Sequence, residues 1–257
     1  MAPRRLRRLP RRLGYGEEAT LVEHLDELRS RLIVSIVAVG AFFPLAYIFH
    51  ERLVRWLMRP LPDGTHIVTL GVTEPFTTAV KLSFYAAVAA AFPVLVWQAW
   101  SFFAPAVQEG RQRVVARFVA LATVLFATGM AFSYFVILPL ALRFLTNFDD
   151  DLYDIQIRAS YYLSFASLMI FATGLVFQLP IFILALVRLR ILTTDQLRRN
   201  RRMAYVLLLG AAILLPTVDP VSLAFEVAPL WLLFEGSIWL SVAMERRWSA
   251  RGQLVTE

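Results

Sequence analysis

The sequence contains no cysteine, so disulfide bonds and thiolate chemistry are excluded. Histidine is nearly as scarce, and the three copies, His24, His50 and His66, lie in unrelated segments without the spacing of metal ligands. The sequence also lacks a glycine-rich phosphate loop, a Gly-x-Ser-x-Gly elbow and a His-Glu-x-x-His pair. Because these absences leave little for an active site, we expect a protein that is not an enzyme and that binds neither a cofactor nor a metal.

Charged residues are missing from four long stretches. Hydrophobic residues make up 58% of the chain, and Asp, Glu, Lys and Arg are all absent from residues 32–49, 82–108, 118–142 and 159–187. Each stretch is long enough to cross a bilayer as a helix. The chain is therefore predicted to be an integral membrane protein.

Two further apolar segments look short or polar for a bilayer. The segment 203–215 would be only about 20 Å long as a helix, and the segment 223–244 contains Glu226 and Glu235. A turn cluster at 216–220 prevents one continuous helix. We predict an all-α membrane protein with six transmembrane helices, in which spans five and six are short and form a shallow hairpin.

Arginine and lysine sort by side of the membrane. All but six of the 26 fall in the N-terminal segment, the loops after spans two and four, and the C-terminal tail. The positive-inside rule then places both termini in the cytosol, so the net charge of +7 reflects topology and not nucleic-acid binding. We expect a basic tail at 1–20 that contacts anionic lipids, one membrane domain at 21–248 and a cytosolic tail at 249–257.

A charged segment, residues 23–31, leads directly into the first apolar run. Read as a helix, it carries a leucine stripe on one face and charged residues on another, which predicts that the carboxylates face outward at the membrane surface. Glu27 and Arg31 have the i,i+4 spacing of an ion pair worth about 0.2–0.5 kcal/mol. The stripe consists of Leu21, Leu25, Leu28 and Leu32, and the charged face of Glu23, Glu27 and Arg31.

Several short patterns occur in a fixed order relative to the predicted spans. They are His24 to Arg31, Pro60-Leu61, Pro75-Phe76, Lys81-Leu82, Trp97 to Pro105, Gly129 to Phe135, Tyr162 to Phe165, Phe177 to Pro180, Asp219, Pro229 and Phe234-Glu235. Each pattern alone is weak, but the ordered set covers nearly the whole chain and resembles the TatC family, the multi-spanning receptors of twin-arginine protein export.

The resemblance implies a receptor and core scaffold in the cell inner membrane. Such a protein binds the paired-arginine signal peptides of exported proteins at its cytosolic face. It also organises single-span TatA/TatB-type subunits for transport of folded proteins that depends on the proton motive force. The resemblance further implies a homo-oligomer within a hetero-complex.

Four residues make up the predicted signal-peptide site: Glu27, Glu109, Arg29 and His24. Glu27 matches the recognition carboxylate of the family by position, and a carboxylate can accept two parallel hydrogen bonds from a guanidinium group. The family usually has a second carboxylate in the loop after span two, where this chain has Arg111. Glu109 lies two residues earlier and is either a substitute for it or a solvated loop acid.

Polar residues inside the spans form a second predicted site. By resemblance, Gln178, Pro180 and Glu235 would dock the intramembrane polar groups of partner subunits. The family usually has Glu at position 178, and Gln keeps hydrogen bonding but cannot titrate, which favours docking over proton transfer. An internal contact of Gln178 with a neighbouring span is the alternative. Pro180 is expected to kink its helix, and Asp219 to cap or brace the periplasmic hairpin.

A secondary transporter is the rival function. Gln178, Glu226 and Glu235 would then form a midplane site for a small solute or protons. The lack of an evident inverted repeat among the six predicted spans argues against this alternative.

Overall fold

The computed structural model describes residues 21–62, 67–103, 111–148, 156–188, 191–213, 215–216 and 219–253. Five helical stretches within these residues are long and apolar enough to cross a membrane: His24–Ile48, Glu74–Phe102, Val115–Thr146, Ala159–Val187 and Pro220–Val242. The protein is thus a multi-pass helical membrane protein. The first four stretches coincide with the four uncharged runs of the sequence.

The first and third helices, α1 (Leu21–Ile48) and α3 (Glu74–Phe103), run in opposite directions, because His24 near the start of one stacks on Phe102 near the end of the other. We call the end of the bundle that holds the start of α1 the Glu27 end, and the opposite end, where α3 starts, the Glu74 end. The helices are α1 (Leu21–Ile48), α2 (His50–Met58), α3 (Glu74–Phe103), α4 (Arg111–Phe132), α5 (Leu138–Thr146), α6 (Ala159–Val176), α7 (Leu179–Arg188), α8 (Thr194–Arg199), α9 (Arg201–Ile213) and α10 (Pro220–Gln253).

Of the two short spans predicted for the hairpin, only the first is short in the structure. Helix α9 has 13 residues, in agreement with a short fifth segment. Helix α10 has 34 residues, and its apolar part alone has 23, so the prediction of a short last span is wrong. Proline has no backbone N–H, so at the first position of a helix it leaves no donor without a partner. This explains why α10 begins directly at Pro220. It also runs to Gln253, past the predicted tail boundary at 248.

Two of the spans contain interruptions. Between α4 and α5 lies a five-residue π-helical segment, Ser133–Ile137, a form that is frequent at functional sites. Between α6 and α7 the chain makes a turn at Phe177 and Gln178. Pro180, at the start of α7, explains this turn because its ring cannot follow a continuous helix. The helix of span four is therefore interrupted two residues before Pro180, the residue at which a kink was expected.

At the Glu74 end, a pair of short strands and an ion pair join the segments that precede α3 and α6, and we call this arrangement the clasp. The sequence did not predict it. Two-residue strands, β1 (Ile67–Val68) and β2 (Ile157–Arg158), pair in parallel. Beside them Glu74, only 5% exposed, accepts hydrogen bonds from Arg158 Nε at 3.1 Å and from the amides of Leu70 and Ser160 at 3.0 Å each. The clasp fixes the starts of α3 and α6 relative to each other.

Two glycines allow α4 and α6 to approach each other closely. A Cβ atom built on Gly129 of α4 would lie 3.0 Å from the Cα of Gly174 of α6 and 2.9 Å from the Cβ of Phe177. Small residues are the usual means by which membrane helices approach closely, because packing is the main force that joins them within lipid. This crossing lies one turn from Gln178 and determines what that side chain can reach.

Candidate functional site

Glu27 of α1 is paired within its own helix. The Nε of Arg31 donates a hydrogen bond to Glu27 Oε1 at 3.1 Å, and Arg31 Nη2 donates to the same oxygen. Oε2 of Glu27 has no hydrogen-bond partner within the described part of the chain. The Glu27 side chain is 25% exposed, so the pair lies partly sheltered at the surface.

Glu27 and Arg31 of the predicted charged face are less exposed than the leucine stripe of α1. Leu25 is 63% exposed, Leu28 45% and Leu32 57%, whereas the side chains of Glu27 and Arg31 are 25% and 23% exposed. In a bilayer the apolar stripe faces lipid, and the polar side turns toward the protein and its partners.

Two of the other predicted members of the signal-peptide site, His24 and Arg29, lie on α1 within one turn of Glu27. The His24 ring stacks on Phe102 of α3 at a centroid distance of 4.5 Å, which attaches the start of α1 to the end of α3. Arg29 is exposed. Glu109 lies outside the described residues, so its candidate role stays a prediction.

Gln178 makes the internal contact that was the alternative to partner docking. Its Nε2 donates to the carbonyl of Ala122 on α4 at 3.2 Å and lies 3.5 Å from that of Gly174. The side chain is half-buried, and its Oε1 has no partner in the described ranges. Pro180 is buried beside it. Gln178 therefore holds α4 and α6 together and retains one free acceptor.

Glu235 of α10 belongs to a polar triad with two residues of α9. Tyr205 Oη donates a hydrogen bond to Glu235 Oε1, and Arg201 Nη2 lies 3.3 Å from Oε2. Glu235 is 30% exposed, and its neighbours along the helix, Trp231 and Leu232, are 50% and 75% exposed. The triad is thus a polar spot within an outward-facing apolar surface. Tyr205 and Arg201 carried no signal in the sequence analysis.

Asp219 caps the start of α10. Its Oδ1 accepts the backbone N–H of Ser222 at 2.7 Å, which is the usual geometry of an aspartate at the N-cap. Asp219 is 2% exposed and Ser222 is fully buried. The residue therefore shapes the turn before α10 from inside the protein and is not free to contact cargo.

Within the residues that the structure describes, no group of three or more His, Asp or Glu side chains is arranged to hold a metal ion. The chemistry available at these sites is hydrogen bonding and ion pairing. Such groups recognise and orient a ligand.

Known proteins of the TatC family are similar to this chain in sequence and in structure. Residues 23–229 match the family model described as Sec-independent protein translocase protein (TatC). The TatC protein of Desulforapulum autotrophicum is 34% identical over 226 residues, which cover 86% of this chain and 84% of the relative. The TatC protein of Escherichia coli K12 is 32% identical over 233 residues, which cover 89% of this chain and 90% of the relative.

A solved structure agrees with the sequence relatives. The crystal structure of a twin arginine translocase receptor, TatC, superimposes with a TM-score of 0.76 at 31% identity, and the match covers 85% of this chain and 99% of the other. The comparisons do not support the alternative of a solute transporter. The chain belongs to the TatC family, the multi-pass membrane receptor component of the Sec-independent protein translocase.

Proposed function

We propose that this chain binds paired-arginine signal peptides at the Glu27 end and that Glu27 receives one of the arginines. The proposal rests on the carboxylate of Glu27, which Arg31 contacts through only one of its two oxygens. Among the described residues, Arg31 contacts Oε1 and no group contacts Oε2, so the carboxylate is oriented and one oxygen can receive an incoming guanidinium. The positive-inside rule supports a cytosolic location for this end, which is the side on which signal peptides arrive.

The free energy expected for this contact is enough to select peptides that carry the arginine, but it is only a part of the total binding free energy. A hydrogen bond to a charged group contributes about 1.5–3 kcal/mol when shielded and less at a partly exposed site. One such contact corresponds to about a tenfold change in affinity. The remaining affinity must come from the apolar part of the signal, at about 0.8 kcal/mol per buried methylene. The exposed lipid-facing side of α1, with Ile36 and Val37, offers a surface for it.

A binding experiment with two neighbouring acids tests the assignment. The purified protein in detergent is titrated with a fluorescent signal peptide that carries two arginines and with one that carries two lysines. Glu27→Gln should weaken binding of the arginine peptide about tenfold and reduce its advantage over the lysine peptide. Asp26→Asn removes the same charge from an adjacent exposed residue and should leave both affinities nearly unchanged. Equal losses of affinity in the two variants would show that the effect comes from the total charge and not from Glu27 itself, and would refute the proposal.

We further propose that the triad of Glu235, Tyr205 and Arg201 docks the single-span TatA/TatB-type subunits. A partner helix that crosses the exposed apolar surface of α10 would meet one polar group there, and a polar side chain of the partner would satisfy it. Glu235→Gln should reduce co-purification of the subunits while signal-peptide binding persists. Glu51→Gln, an exposed acid of α2, is the control. Undiminished co-purification with Glu235→Gln would refute this docking site.

We also propose where the protein resides and how it assembles. Both termini lie in the cytosol, the protein resides in the inner membrane, and the basic tail at 1–20 contacts anionic lipid. The chain acts as a homo-oligomer within a hetero-complex. Protease protection of tags placed at each terminus in inverted vesicles tests the orientation.

A further inference from the structure

Three arginines form an exposed basic face on α2, the helix that follows the first span at the Glu74 end. They are Arg52, Arg55 and Arg59. Their spacing of three and four residues places them on one side of the helix over about 10 Å. They are also half of the six basic residues that fall outside the arginine-rich segments. Because the positive-inside rule disfavours basic residues at this end, such a concentration calls for a function.

The opposite face of α2 is packed onto the helix bundle. Leu57 is 3% exposed, and Leu53 packs against the same hydrophobic core. Two tyrosine hydroxyls also hold the backbone of α2. Tyr134 Oη donates to the carbonyl of Trp56 at 2.9 Å, and Tyr162 Oη donates to the carbonyl of Leu57. The helix is therefore fixed in rotation, and its basic face is held away from the bundle.

The end of the first span places α2 at the boundary of the bilayer. The span ends at Ile48, which is 72% exposed, and the next residue, Phe49, is 41% exposed. Exposed apolar side chains at the end of a span face lipid and mark the edge of the hydrocarbon region. The guanidinium carbon of Arg52 lies 5.2 Å from the centre of the Phe49 ring. An arginine beside a lipid-facing ring extends its charged end to the head groups.

Contacts within the protein leave the basic face without strong anionic partners. Among the described residues, no carboxylate forms an ion pair with Arg52 or Arg59. Arg55 lies 3.6 Å from Glu51, but the two side chains are 69% and 70% exposed, so this pair contributes little. Helix stability does not explain Arg52 either, because the dipole favours anions and not cations in the first turn.

We propose that the basic face of α2 binds the phosphate groups of anionic phospholipids in the leaflet at the Glu74 end. A guanidinium group presents parallel N–H donors that match the oxygens of a phosphate. Lipids with net negative charge are preferred because a zwitterionic head group supplies its own cation, and the attraction increases with the number of basic residues at the surface. The site lies at the other end of the protein from Glu27 and does not depend on recognition of a signal peptide.

Fluorescence quenching by brominated lipids tests the proposal. The chain has no cysteine, so Met58→Cys on the exposed side of α2 accepts a single fluorescent label. The labelled full-length protein is placed in phosphatidylcholine vesicles that contain the same fraction of either brominated phosphatidylglycerol or brominated phosphatidylcholine. The phosphatidylglycerol should quench several-fold more strongly, and equal quenching would overturn the proposal. Both leaflets have the same composition, so the result is independent of the orientation of the protein.

Matched substitutions separate this site from the total charge of the protein. Replacement of all three α2 arginines by glutamine should make quenching by the two lipids equal. The control is the triple variant Arg198→Gln, Arg199→Gln and Arg202→Gln, which removes the same charge from exposed positions of α8 and α9 and should keep the preference for phosphatidylglycerol. Equal loss of the preference in both triple variants would overturn the proposal.

Two further measurements complete the test. Sodium phosphate added at constant ionic strength should leave the preference unchanged, and its loss would assign the site to free phosphate and overturn the proposal. If the triple variant of α2 does not fold, Arg52→Gln and Arg59→Gln are measured singly. Each should lower the preference for phosphatidylglycerol, and an unchanged preference in both would overturn the proposal.

Discussion

A methyl group added at Gly129 should force α4 and α6 apart. The new Cβ would lie 2.7 Å from Phe177 Cγ, 2.9 Å from Phe177 Cβ and 3.0 Å from Gly174 Cα, all shorter than an ordinary van der Waals contact. Two of these atoms are a backbone Cα and a Cβ, which cannot turn aside as the end of a flexible side chain can. The helices must therefore separate by several tenths of an ångström.

The size of the effect follows from two opposing terms. Overpacking of this kind costs about 1–3 kcal/mol, while replacement of glycine by alanine within a helix gains about 1 kcal/mol. Gly129→Ala should therefore destabilise the protein by up to about 2 kcal/mol. Gly210→Ala on α9 provides the matched control, because no atom lies within 4 Å of its added Cβ. Only the helix-propensity gain applies there, so the two variants should shift stability in opposite directions.

Thermal unfolding in one detergent measures both variants. The melting temperature should fall by a few degrees for Gly129→Ala and stay level or rise for Gly210→Ala. The same separation would weaken the hydrogen bond from Gln178 to the carbonyl of Ala122. If both variants raised the melting temperature equally, the close crossing at Gly129 would not exist as described and the reasoning would fail.

Three other substitutions test the remaining contacts. Gln178→Leu removes the hydrogen bond to the Ala122 carbonyl together with the amide oxygen that a docking partner would use, and it should abolish transport while signal-peptide binding persists. Unchanged transport would count against any docking role of Gln178. Glu74→Gln should lower the melting temperature and accelerate proteolysis of the two loops that it joins. By contrast, Glu51→Gln should do neither, because Glu51 is 70% exposed and its ion pair is 3.6 Å long. Arg201→Met should destabilise the protein, because it leaves Glu235 without its cation. The double variant with Glu235→Gln should recover part of the lost stability, and a double-mutant cycle would measure the recovery.

The membrane-spanning helices could be predicted because hydropathy is a property of local composition. Four uncharged runs became four spans, and Pro180 marked the turn between α6 and α7. The length of α10 could not be predicted in the same way. Glu226 and Glu235 look too costly for a span when they are read singly, yet Thr173 contacts one of them, and Tyr205 and Arg201 satisfy the other.

The candidate site was predicted in its members but not in its geometry. The ordered motifs of the sequence indicated the family, and the family indicated Glu27. They did not show that Arg31 occupies only one oxygen of Glu27, or that the leucine stripe of α1 faces away from the protein. A helical pattern identifies two faces. Which of them faces lipid depends on the neighbouring helices.

By itself the sequence determined the class of protein, the positions of most helices and the family, since each follows from residue types close together in the chain. Only the tertiary structure decided the contacts between distant residues. Glu74 and Arg158 are 84 positions apart, and Tyr134 donates to the carbonyl of Trp56 across 78 positions. Such contacts depend on how the helices cross, and no local pattern encodes a crossing. The same holds for the burial of Glu226, which is 1% exposed within α10.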